Sequence, residues 1–124
     1  MSNFEKKRSL ARDLLGSLNI KDTYYKMLKD TVIIDTLKHT HSNIFFEHYS
    51  FIERWLDKAN TEYYCKINYQ TFLFHLNALA VECETIYFGI ALLTDKKNYL
   101  SDIRFAFVRF FSVYNISIDF RKNI

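Results

Sequence analysis

The chain has 124 residues, of which 49% are hydrophobic and 25% charged, and it carries a formal net charge of +3. That length fits one domain with a real core and excludes a second of comparable size, while the composition excludes a disordered chain. The charge falls short of the clustered basic excess of a dedicated nucleic-acid domain.

Twelve Phe, nine Tyr and one Trp make the chain unusually aromatic, and it has no proline and only two glycines, Gly16 and Gly89. Tight turns favour proline and glycine, and many-stranded β folds need many turns, so their scarcity points to a few long helices. The richness in Phe, Tyr, Ile, Lys and Asn follows AT-rich codons, as in a low-GC genome or a mobile element. No run of about eighteen apolar residues is free of charge, because Glu82 and Glu84 interrupt the best candidate, so no membrane span is expected. The basic N-terminal residues are not followed by an apolar h-region, and Cys65 and Cys83 lack CxxC spacing. A cytoplasmic protein with two free thiols is the expectation.

Residues 3–15 read as a first helix, with Phe4, Ala11, Leu14, Leu15 and Leu18 on one side and Lys6, Lys7, Arg8 and Arg12 on the other. Gly16 and Ser17 supply a stop. Asp22 is a good N-cap for a second helix to about Lys38, although the β-branched run Thr31–Ile34 leaves a strand open there. Ser42 or Asn43 caps a third helix to about Lys58, with Phe45, Tyr49, Ile52, Leu56 and Ala59 as its stripe and Trp55 beside it. Residues 60–67 break the periodicity and read as a connector.

The strongest periodicity follows. Phe72, Leu76, Leu79, Cys83, Ile86, Ile90 and Leu93 step by four and three, the spacing of one helix face, and Phe74, Val81 and Phe88 recur every seven residues on the opposite side. A helix apolar front and back sits in the middle of something. Asp95–Asn98 form a polar turn, and Ser101 caps a fifth helix whose stripe is Leu100, Ile103, Phe107, Phe110 and Tyr114. So short a loop makes these two helices antiparallel neighbours, placing Gly89 against Ala106 and Arg104 near Tyr87. The tail from Ile116 alternates apolar and polar residues, as a short extended piece does. The reading is a single all-α domain over 1–124: about five helices around a central antiparallel hairpin of 69–94 and 101–115.

Chemistry is harder to find. His41 and His48 share a helical face with Glu47 alongside, but an i,i+4 histidine pair or a tight Cys/His set is missing, so no metal is expected and the histidines read as surface groups. His75 and Glu82 lie on one side of the central helix without a second catalytic group at a recognisable spacing. Glu82 and Glu84 are expected at a solvated edge or paired with Arg104, Arg109 or Lys66. No nucleophile elbow or glycine-rich phosphate loop occurs, so neither enzyme nor cofactor is expected.

Two surfaces remain. The hairpin's second face carries Phe74, Val81 and Phe88 from one helix and Phe105 and Val108 from the other, and it is either further core or a surface that another molecule covers. Basic residues gather at both ends of the chain, Lys6, Lys7, Arg8 and Arg12, then Arg104, Arg109, Arg121 and Lys122. If the first and last helices are neighbours, these could meet phosphates as one positive face. The expected function is a small non-enzymatic protein-binding module, an inhibitor or an immunity or antitoxin-like protein that occludes a partner, with homodimerisation as a second use of the aromatic face. The alternative is a nucleic-acid-binding regulator using the terminal cations.

Overall fold

The computed structural model describes the backbone of residues 1–18, 31–93 and 97–118, and the side chains of 1–18, 44–84 and 105–118. Among the described residues five helices form an all-α bundle: α1 (Asn3–Ser17), α2 (Thr31–Leu56), α3 (Glu62–Ile67), α4 (Tyr69–Leu93) and α5 (Lys97–Ser112). The described residues contain no strand. The most extensive packing is between α2 and α4, which run antiparallel; α4 also meets α3 and α5, and α1 lies against both α2 and α5.

Helix α1 starts as its sequence requires. Ser2 is an N-cap whose hydroxyl accepts from the Glu5 amide at 3.2 Å, the first half of a Ser-x-x-Glu box. The Glu5 carboxylate turns instead to Arg8. Gly16 does not end the helix in a left-handed conformation; it lies within α1, and Leu18 closes it with helical dihedrals. Thr61 caps α3 by accepting from the Tyr64 amide at 3.2 Å, so part of the expected connector is a helical turn and a half.

One helix, α2, replaces the break expected near residue 40. His39–Asn43 are weak helix formers, but each costs only about 0.7 kcal/mol at most, and no proline or glycine stops the ladder. The expected start at Asp22 lies outside the described residues. Helix α5 begins at Lys97, so Ser101 is an interior residue and not a cap. It ends in a Schellman arrangement: the Ile116 amide donates to the Phe111 carbonyl and the Asn115 amide to Ser112, with Asn115 at φ 59°. That turn ends at Asn115, just before the tail expected to be extended, and residues 116–118 are neither helix nor strand.

Trp55, near the end of α2, anchors the core. Its ring stacks on Phe72 of α4 with centroids 3.7 Å apart and planes inclined by 12°, and Tyr114 and Tyr69 meet it edge-on. Indole Nε1 donates to the Cys65 carbonyl at 2.9 Å, and the Cys65 thiol donates back to the Trp55 carbonyl at 3.4 Å. A buried Trp needs such an acceptor. Around them the buried core takes in Ala11 and Leu15 of α1, Phe45, Tyr49, Ile52 and Leu56 of α2, Leu76, Leu79, Ala80 and Cys83 of α4, and Phe110 and Phe111 of α5.

Candidate functional site

The front face of α4 buries Phe72, Leu76, Leu79 and Cys83, while Gln70, Thr71, Phe74, Asn77 and Val81 line its exposed side. Two of those are large and apolar: Phe74 is 65% exposed and Val81 59%. Helix α5 repeats the pattern, with Phe110 and Phe111 buried while Phe105 is 74% and Val108 40% exposed. Four of the five residues expected on the second aromatic face are therefore outside the core. The fifth, Phe88, lies outside the described side chains, as do Tyr87, Gly89 and Arg104 and with them the expected contacts across the hairpin.

Beside Phe74 lies a polar contact between α2 and α4. His48 Nδ1 and His75 Nδ1 are 2.8 Å apart. His75 stacks on Phe51 with centroids 4.3 Å apart, and Phe74 meets the edges of both imidazoles. Burial pushes the His75 pKa down, the neighbouring His48 and Arg54 push the same way, and Glu47 opposes them. His48 is thus half-buried and not the surface group expected of the histidines. Its partner is across the helix pair, which single-helix spacing could not show. The side chains of His39 and His41 are not among those described. No group of three metal-ligating side chains occurs among the described residues.

The basic residues divide differently from expectation. Helices α1 and α5 are neighbours, and Lys6, Lys7 and Arg109 are exposed. Arg8 is only 1% exposed and is no surface cation. Its Nη1 bonds Glu5 at 2.6 Å, and Nη2 donates to the carbonyls of Trp55 at 2.9 Å and Asp57 at 3.0 Å. Arg12 Nε donates to the Leu56 carbonyl at 2.5 Å. The two guanidinium groups meet the carbonyls and negative dipole that the end of α2 leaves unsatisfied. The signal was present in the sequence: Phe4, Arg8, Ala11 and Leu15 step by four and three, which puts Arg8 on the apolar stripe. Arg104, Arg121 and Lys122 lie outside the described side chains.

Glu82 and Glu84 are half-buried on α4, whereas Lys66 pairs with Glu62 at 3.1 Å on its own short helix. Both thiols are buried and free, and burial raises the pKa of each. No helix among the described residues is long and apolar enough to cross a membrane. Neither a protein-family model, nor a curated protein, nor a solved structure matches the chain.

Proposed function

We propose that the chain is a non-enzymatic protein-binding module, acting as an inhibitor or an immunity or antitoxin-like protein that occludes its partner. The supporting observation is the outward placement of Phe74, Val81, Phe105 and Val108 on two helices whose opposite faces already fill the core. These side chains lie outside the buried core, and exposed aromatic groups lose little conformational entropy on docking while burying a large area. Apolar surface of this kind on a small domain marks an interaction site. Phe74 on α4 and Phe105 on α5 are the proposed anchors, with Val81 and Val108 as the smaller apolar groups exposed on the same two helices. Helix α4 supplies the rigid support, since its other face is packed against α2.

The test is affinity capture from the native host with the wild type and with a Phe74→Ser, Phe105→Ser double variant, each checked for folding by circular dichroism. Recovery of one stoichiometric partner by the wild type and its loss from the folded variant is the expected result. Light scattering covers the homodimer: a dimer that the variant turns into a monomer assigns the face to self-association. Capture of no partner by a monomeric wild type overturns the proposal.

A further inference from the structure

We propose that the His48–His75 contact is a proton-counting latch between α2 and α4, closed with up to one added proton and opened by the second. The two Nδ1 atoms are 2.8 Å apart, so one must donate and the other accept. In the neutral pair the donor ring carries its proton on Nδ1 and leaves Nε2 bare, while the acceptor ring carries its proton on Nε2.

The first added proton goes to the bare Nε2 of the donor. That ring becomes an imidazolium, and its Nδ1–H still points at the neutral acceptor; the bond becomes charge-assisted and is strengthened. The second proton has only one place to go, the acceptor Nδ1, which is the atom receiving the hydrogen bond. Two N–H groups and two like charges cannot share 2.8 Å. The rings separate, and the contact between the helices opens beside Phe74.

The surroundings favour a sharp response. His75 is held against Phe51 by stacking and cannot swing freely while that contact lasts. Among the described residues, the charged and titratable groups acting on it are His48, Glu47 and Arg54, all on α2, and α4 contributes none. Glu47 favours a proton on His75, and Arg54 opposes it. Two imidazoles in contact titrate as a pair in two macroscopic steps, not as two independent groups.

The experiment is 15N imidazole NMR of the full chain from pH 7.5 to 4.5, together with amide exchange of residues 72–80 corrected for intrinsic rates. At pH 7.5 one of the two rings shows the Nδ1–H tautomer and the other Nε2–H. The pair then takes up its protons in steps separated by about one pH unit or more, and protection of 72–80 falls about tenfold or more in the second step only. In a His75→Gln variant, His48 titrates in a single step and protection stays flat over the same range. Two Nε2–H rings with one shared midpoint, or protection that is unchanged through the second step, overturns the latch. So does an equal fall in the variant. Should the variant not fold, the wild-type tautomers, the two-step titration and the fall in protection at the second step decide alone.

Discussion

Arg8 lies with its guanidinium carbon 5.3 Å from the centre of the Trp55 ring while donating to the Trp55 carbonyl at 2.9 Å. One side chain thus holds both the face of the indole and the end of the helix carrying it. This ties α1 to α2, and the stacked pair of Trp55 and Phe72 passes the tie on to α4.

Removing that side chain should cost far more than an ordinary surface substitution. Arg8→Ala takes the guanidinium donor from the carbonyls of Trp55 and Asp57, leaving the first with the Cys65 thiol and the second with the Asn60 amide, and removes a cation from an aromatic wall. The expected loss is about 3 kcal/mol or more. Arg8→Lys keeps the charge but loses the planar fork, and should cost about 1–2 kcal/mol. Urea unfolding followed by Trp55 fluorescence measures both. A change within about 0.5 kcal/mol for Arg8→Ala, the range of a neutral surface change, would sink this account of the helix end.

The turn after α5 gives a second expectation. Asn115 adopts a left-handed conformation that asparagine tolerates and branched residues do not. Asn115→Val should therefore destabilise by about 1–2 kcal/mol, whereas Asn115→Gly should be neutral or slightly stabilising. Equal midpoints for the two variants in thermal melts would show that the turn is not maintained in solution.

The same positions show what could be read from sequence. The period of α4 and the grouping of Phe74, Val81, Phe105 and Val108 on a second face were legible because a helix repeats its faces every three to four residues, whatever surrounds it, but whether that face was core or surface was not. The buried Arg8 was also legible in its spacing, but its charge drew it into the polar set. What periodicity could not supply was pairing across elements. His48 and His75 are twenty-seven residues apart and meet only because α2 runs antiparallel to α4. The merging of two expected helices into α2 was hidden for a related reason. Weak helix formers at 39–43 signal a break locally, and neighbouring helices can override a local preference.

Acid should act on the α1–α3 junction through Glu62. The Ser2 hydroxyl donates to its Oε1 at 2.8 Å and Lys66 lies at 3.1 Å, and these hold the carboxyl below its ordinary pKa. A lowered carboxylate contributes stability that is full above the unfolded-state pKa and is lost as pH falls through the folded one. Ser2→Ala should move the Glu62 titration, followed by carboxyl 13C NMR, back up towards the usual glutamate range. It should also remove the α1 cap, at about 1 kcal/mol. An unmoved Glu62 would show that Lys66 alone sets its proton affinity.

Surface and core residues of one helix should respond in opposite ways. Phe74 and Phe72 are two positions apart on α4, yet Phe74 is 65% exposed and Phe72 is fully buried against Trp55. Phe72→Ala should cost about 3–5 kcal/mol, through lost burial and the cavity left beneath the indole. Phe74→Ser should change stability by no more than about 0.5 kcal/mol. Its effect should fall on association: partner capture or the dimer fraction should drop while the melting curve stays in place. A Phe74→Ser variant that unfolds like Phe72→Ala would make the outer face part of the core and leave the proposed docking surface without its anchor.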